Sequence, residues 1–325
     1  MRAARCNEYG PPDSLVVEEL PDPVPGQGEV VVLVEAAAVN YPDVLIASNR
    51  YQISVPVPFT PGSEFAGVVG SVGDGVTSVG LGDRVYGGGM VGAFAQQVVT
   101  SAAGLTKLPD GVDLVHAAAF KVVYLTSYHV LRSIAEVRPG DWVCVLGAAG
   151  GVGLAAVELA QVLGGRVVAA ASSDEKLAVC RARGAEAVIN YETEDLKLRL
   201  REITDGGADV VVDPVGGRYS EEALRSTRWG GRFVTVGFAA GEIPRIPLNL
   251  LLLKGVILRG FEIRTFSQFA PESARRDAEE LWELFTSGRI QPYVSAVHAL
   301  DDVAEALNSV ADRRSTGKVV IDPRL

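Results

Sequence analysis

Cysteine is scarce in this chain, and so are histidine, methionine and tryptophan. The three cysteines, Cys6, Cys144 and Cys180, are too few and too scattered for a disulfide framework or a cysteine-built zinc site. The three histidines, His116, His129 and His298, are equally dispersed and read as structural or surface residues. Excess positive charge is missing too: the formal net charge is -10, which argues against nucleic acid or an anionic membrane surface as principal partner, since both reward a basic face. No long apolar run occurs. The most apolar stretch, 250–258, is bounded by Asn249 and Arg259 and broken by Lys254, far short of the roughly 20 apolar residues that a bilayer requires. The first residues, Met1 to Cys6, carry no apolar core of a signal peptide behind their positive charges. A reducing cytoplasm is the setting these absences suggest.

What is present is ample apolar material, 48% of residues, with only 22% charged and 36 glycines. At 325 residues the chain exceeds the size at which one hydrophobic core usually stops growing, so two domains are expected. The first third is rich in Val, Gly and Pro, with short strand-like runs at 29–34, 67–72 and 83–86, and reads as a mostly antiparallel barrel. From about Asp141 the texture becomes apolar β-type runs alternating with helical segments, the α/β pattern of a doubly wound parallel sheet. Strands are expected at 142–146, 166–170, 187–190, 209–212 and 232–237, with helices at 152–163 and 175–182 stopped by Gly164-Gly165 and Gly184. A sixth strand-like run extends from Val256 to Phe261. A long amphipathic helix at 271–285, a helix at 303–310 and a last strand at 318–321 are expected to rejoin the first domain. The expected division is thus 1–122 with 265–325 for the barrel and 123–264 for the parallel sheet.

The turn Gly147-Ala148-Ala149-Gly150-Gly151-Val152-Gly153 follows an expected strand and opens an expected helix, the context that makes a glycine pattern a dinucleotide site. Gly150 lets the backbone approach a pyrophosphate, Gly153 lets the helix pack close to the strand, and the free N–H groups at the helix start favour an anion, which makes Ala149, Gly150, Gly151, Val152 and Gly153 the candidate cofactor-binding residues of the turn. NAD enzymes place an Asp or Glu at the end of the second strand against the ribose hydroxyls. Here that run is Ala169-Ala170-Ala171-Ser172-Ser173. A carboxylate there would oppose a 2′-phosphate by about 1 kcal/mol in water and about 4 kcal/mol in a semi-buried site, roughly tenfold to several hundredfold in affinity. Its absence selects NADPH. Ser172 and Lys176 are placed to donate to the phosphate, and Tyr191 follows the third strand; Lys176 also reads as a solvated helix residue.

The chain resembles the zinc-free quinone oxidoreductases, the zeta-crystallin-like branch of the medium-chain dehydrogenase/reductase superfamily, over nearly its whole length. The motifs are Ala38-Val39-Asn40 with Asp43, the run 58–67 (PFTPGSEFAG), Gly82-Asp83-Arg84-Val85, the 147–153 turn, Asp213 to Gly217, and Leu251-Leu252-Leu253-Lys254. The resemblance implies a GroES-like barrel domain beside a Rossmann domain. Zinc-dependent relatives carry a Cys and a His as catalytic ligands where this chain has Asn40 and Ser63, so no metal is expected. Zinc stabilises an alkoxide during alcohol oxidation; without it, reduction of an acceptor already electrophilic by conjugation is the implied chemistry, a quinone or an enone.

By the same resemblance, Asn40, Asp43, Tyr51 and Thr126 lie on the substrate side. Tyr51 reads either as a donor to the substrate oxygen or as an aromatic packed under a loop. Tyr124 stands where many relatives have a smaller residue and reads as a pocket wall or a proton donor. Val215, Gly216, Gly237 and Phe238 end the fourth and fifth strands toward the nicotinamide, and the segments 261–266 and Gly317-Lys318 border the cofactor or serve as connections. Alternatives are a 2-enoyl-thioester or enone reductase on the same fold, and a non-catalytic, crystallin-like NADPH binder. The strand from Val256 to Phe261 resembles the sheet edge through which this family dimerises, so a homodimer is expected; an exposed apolar edge otherwise invites aggregation.

Overall fold

The computed structural model describes residues 1–325, which form two compact units, Met1–Val122 with Gln291–Leu325, and Val123–Ile290.

The first unit is organised by one strand, Glu29–Val39. Glu64–Val72 pairs antiparallel along one edge of it. Its other edge is shared by Gln97–Ser101, alongside 29–33, and Lys318–Asp322, alongside 37–39. The sheet continues outward through Arg84–Gly88 and Thr106–Lys107 on one side and Val294–Ala299 on the other, and only this last pairing, with Lys318–Asp322, is parallel. The mostly antiparallel sheet closes over a core of Val30, Val32, Phe65, Val85, Phe94, Leu300 and Leu307. The central strand runs past the expected end at residue 34 through Ala36, Ala37 and Ala38, all fully buried. Alanine has little strand preference of its own; pairing on both edges imposes the extended conformation. Gly67 is required beside it, because a Cβ there would lie 2.0 Å from the Leu33 carbonyl oxygen.

The second unit is a six-stranded parallel sheet in the order Ala187–Asn190, Arg166–Ala171, Trp142–Leu146, Ala208–Asp213, Thr227–Thr235, Ile257–Gly260. Numbered along the chain, that is 3-2-1-4-5-6, the doubly wound arrangement in which the strand order reverses beside the first strand. Trp142–Leu146 is buried along its whole length, as expected of a central parallel strand covered by helices on both faces. The fifth strand begins at Thr227, five residues before its expected start, and passes through Trp229-Gly230-Gly231, where Gly230 has φ +72°. Turn-like residues hid a strand whose first residue pairs with Ala208. Helices Gly151–Val162 and Asp174–Ala182 stop before Gly164 and Gly184, which take φ of +84° and +94°, the left-handed backbone that ends a helix most cheaply at glycine.

Residues 265–290, expected with the barrel, fall in the second unit. The helix Pro271–Thr286 is held there by polar contacts that a hydrophobic pattern does not reveal. Asp277, fully buried, accepts from the His129 ring at 2.9 Å and the Ser133 hydroxyl at 2.6 Å, while Glu280 accepts from Tyr128 and Arg132. Return to the barrel comes at Gln291. No helix is long and apolar enough to cross a membrane.

Phe233, on the fifth strand, is among the largest fully buried side chains. Phe233→Ala is expected to lower unfolding free energy by about 3–5 kcal/mol, the usual cost of emptying an aromatic core position, measurable by urea denaturation.

Candidate functional site

In the second unit, the residues singled out in the sequence gather at the carboxyl ends of the parallel strands. After Leu146 the chain turns at Gly147, φ +55°, and Ala148 donates its N–H to the Ala170 carbonyl at 3.0 Å, tying the turn to the second strand. Gly150, extended, is the N-cap of the helix Gly151–Val162 and supplies no capping side chain. The first helical bond runs from Leu154 N–H to the Gly150 carbonyl, 2.8 Å. The N–H groups of Gly151, Val152 and Gly153 therefore have no carbonyl four residues back, and with the helix dipole they make an anion site. Gly153 is held to glycine by contact: a Cβ would lie 2.2 Å from the Gly147 carbonyl oxygen and 2.7 Å from Ala148 Cα. Ser127 fixes the same turn from outside, donating its hydroxyl to the Val152 carbonyl at 2.8 Å. This cradle fits a dinucleotide pyrophosphate.

Ser172 and Lys176 adjoin each other at the end of the second strand, 3.5 Å between Nζ and Oγ. The first carboxylate after that strand, Asp174, accepts from the Asn190 amide at 2.9 Å. Tyr191 donates its N–H to the Ala171 carbonyl and stacks on Tyr219 with ring centroids 4.2 Å apart. Next to this pair, Arg218 meets Glu192 at 2.8 Å, and the Tyr219 hydroxyl donates to the same carboxylate. Sequence reasoning missed that cluster, because its members are separated along the chain and none of them belongs to a distinctive motif.

Asp213 was visible only as the start of a motif. Its buried carboxylate accepts from the N–H groups of Val215 at 2.9 Å and Gly216 at 2.8 Å, and from the Ser220 hydroxyl at 2.5 Å. Burial pushes its pKa up despite those bonds. The turn it builds needs φ +73° at Gly216 and +63° at Gly217. Ala239 and Ala240 donate to the carbonyls of Pro214 and Val215, so the loop carrying Gly237 and Phe238 is laced to this turn. Phe238 stays partly exposed beside it.

Tyr124 does not play the part of a proton donor. It is almost wholly buried, and its hydroxyl donates at 2.5 Å to Glu158, which also faces Arg183. Burial, then the Glu158 charge, drives the phenol pKa sharply upward, and only 3% of the residue's surface remains exposed. Thr126 lies half-buried on the helix Lys121–His129.

In the first unit a second constellation forms where three neighbouring strands begin or end. Asn40 follows the central strand, Glu64 opens the next one, and Lys318 opens the strand on the other edge. The Lys318 ammonium donates to the Asn40 side-chain oxygen at 2.6 Å, Glu64 Oε1 at 2.8 Å and the Val39 carbonyl at 2.9 Å. All three donors are spent. Lys318 opens its strand, one of the two readings the sequence allowed, and no donor remains for a phosphate. Asn40 Nδ2 donates to Glu64 Oε1 at 2.9 Å and to the Ser63 hydroxyl oxygen at 3.3 Å. Glu64 Oε2 accepts from Val122 N–H.

Asp43, 1% exposed, accepts the Asn40 N–H with Oδ2 at 2.8 Å, while its Oδ1 has no hydrogen-bond partner. Burial lifts its pKa to about 7, against the opposing pull of Asn40 N–H, the nearby Ser63 hydroxyl and the Lys318 charge. Tyr51 packs its ring against the barrel core. The donor set does not fit zinc: an amide, a hydroxyl and a carboxylate already neutralised by an ammonium. Replacing Lys318 by Met is expected to cost about 3–5 kcal/mol of stability, because Glu64 is left buried without its counter-charge; chemical denaturation would measure it.

Residues 26–110 match the family described as alcohol dehydrogenase GroES-like domain, and 151–287 match zinc-binding dehydrogenase. A quinone oxidoreductase-like protein 2 homolog from Nematostella vectensis is 40% identical over 99% of this chain and 89% of its own. The quinone oxidoreductase of Pseudomonas aeruginosa is 36% identical over 97% of each chain. Among solved structures, Escherichia coli quinone oxidoreductase complexed with NADPH superposes with a TM-score of 0.91 at 29% identity, covering 99% of this chain and 100% of that one. Together with the fold and the phosphate cradle, these similarities make the chain an oxidoreductase of the medium-chain dehydrogenase/reductase superfamily, among its quinone oxidoreductase-like members.

Proposed function

We propose that the protein binds NADPH on the 147–153 turn and reduces a quinone or a related conjugated carbonyl without zinc. The observation that carries this reading is the helix opening at Gly151 with no capping side chain, next to a second strand that ends in Ala171-Ser172 rather than in a carboxylate. Relatives of similar fold solved with NADPH, from E. coli and from a mycobacterium, support the cofactor.

When bound, NADPH supplies a hydride. The protein's part is to hold and orient. The N–H groups of the first helical turn hold the pyrophosphate, Ser172, Lys176 and Tyr191 hold the 2′-phosphate, and Val215, Gly216, Gly237 and Phe238 border the nicotinamide end. Ala149 and Gly150 admit the backbone close to the phosphates. Asn40, Asp43, Tyr51 and Thr126 are the acceptor-side residues. Zinc independence rests on the Lys318 ammonium, which already serves as the cation that Asn40 and Glu64 face.

The experiment is NADPH and NADH oxidation with a panel of quinones, enones and 2-enoyl thioesters in the presence of a chelator. Turnover of quinones with a preference for NADPH is expected. Faster turnover of enoyl thioesters would shift the acceptor class, and tight NADPH binding with no turnover would leave a non-catalytic binder. Gly153→Glu should abolish NADPH binding, through backbone clash and a carboxylate at the anion site; unchanged affinity would displace the cofactor from this turn.

We also propose a homodimer through the outer strand of the parallel sheet, Ile257–Gly260, within the run from Val256 to Phe261. All four strand residues are exposed, Ile257 and Leu258 among them, and one edge has no partner strand. Light scattering at micromolar concentration should return twice the monomer mass; a monomer would overturn it.

A further inference from the structure

Asp43 is an acid buried at a cost that its structural role does not demand. It sits in the first turn of the helix Tyr41–Ala47 and accepts one backbone N–H with one oxygen, a task an asparagine would perform without burying a titratable group. The other oxygen, almost completely enclosed, has no donor in hydrogen-bonding geometry, although the Ser63 hydroxyl adjoins the carboxyl, and buried polar atoms left without a bond call for a reason. Beside it stands the Ser63 hydroxyl. Ser63 is half-exposed, and its oxygen accepts from the Asn40 amide, so its own hydrogen is free to point inward to Asp43 or outward to a bound molecule. The charged groups that face Asp43 are Lys318, which favours the carboxylate, and Glu64, which opposes it; burial outweighs both and holds the acid near the middle of the physiological pH range.

We propose that Asp43 stores the proton that completes reduction of the acceptor and that Ser63 delivers it. This rests on the reductase reading. The acceptor gains a hydride from NADPH, leaving NADP⁺ and placing an electron pair on the acceptor oxygen. That oxygen then forms a bond to the Ser63 hydrogen as the Ser63 O–H breaks, and the Ser63 oxygen takes the Asp43 proton as the carboxyl O–H breaks. Asp43 is left as a carboxylate facing the Lys318 charge and regains a proton from water. Ser63 is the catalytic residue here; Asp43 acts through it.

Because the protonated form delivers, turnover should be present below about pH 7 and fall as pH rises through that value. Asp43→Asn and Ser63→Ala should each lower kcat by about a hundredfold and flatten that profile, with NADPH affinity unchanged, and Ser63→Thr should restore both rate and profile. Wild-type kcat and pH dependence in Asp43→Asn would overturn the proposal. Infrared titration of the cofactor-free protein supplies a readout without catalysis: the protonated-carboxyl band should disappear near pH 7 in the wild type and be missing in Asp43→Asn. A wild-type protein inert towards every acceptor overturns the reductase reading, and the infrared titration then decides the proton store alone, an Asp43 ionised throughout overturning it.

Discussion

The ammonium of Lys318 holds the first unit's chemistry in place. It joins residues far apart in sequence, Lys318 being 279 positions from Val39 and 278 from Asn40, by three hydrogen bonds inside a region almost closed to water. A buried charge is tolerated only when paired and fully bonded, and each member of this set satisfies another: Glu64 neutralises the ammonium, Asn40 bridges the two, and Glu64 also takes the Val122 N–H. The strand Lys318–Asp322 could not leave the sheet without stranding Glu64. Ser63 and Asp43 take their places from the same arrangement, since both are bonded to Asn40 or lie against it.

The second unit depends on contact distance rather than charge. Its helix Gly151–Val162 approaches the preceding turn so closely that a single methyl group at position 153 would overlap backbone. That proximity presents three N–H groups together at the strand ends. Asp213 performs a comparable service one strand away, folding its own turn by accepting two successive N–H groups. In both places the backbone conformation comes first and the binding surface depends on it.

The family and the fold class were legible because their signals are local. A strand, seven turn residues and a helix lie consecutively, and the period of apolar residues separates sheet from helix before any contact is known. The course of 36–39, the early start of the fifth strand and the allegiance of 271–286 were not legible. Alanines, a Trp-Gly-Gly step and an amphipathic helix are each compatible with other settings, and pairing partners or buried hydrogen bonds from distant positions decided among them.

By itself the sequence determined the phosphate cradle, the lack of a carboxylate at the end of the second strand, and the absence of cysteine and histidine where a zinc site would need them, since each depends on which residue occupies a position. Tertiary structure decided what the polar side chains do. Lys318 reads as bordering the cofactor or as a connection until its three donors are seen to be spent, Tyr124 as a pocket wall or an acid until it is seen buried against Glu158, and Asp43 as a substrate-side residue whose carboxyl only burial raises above the usual carboxylate range. The reason is physical: a side chain's charge and free bonds are properties of its surroundings, and those are assembled from residues that only folding brings together.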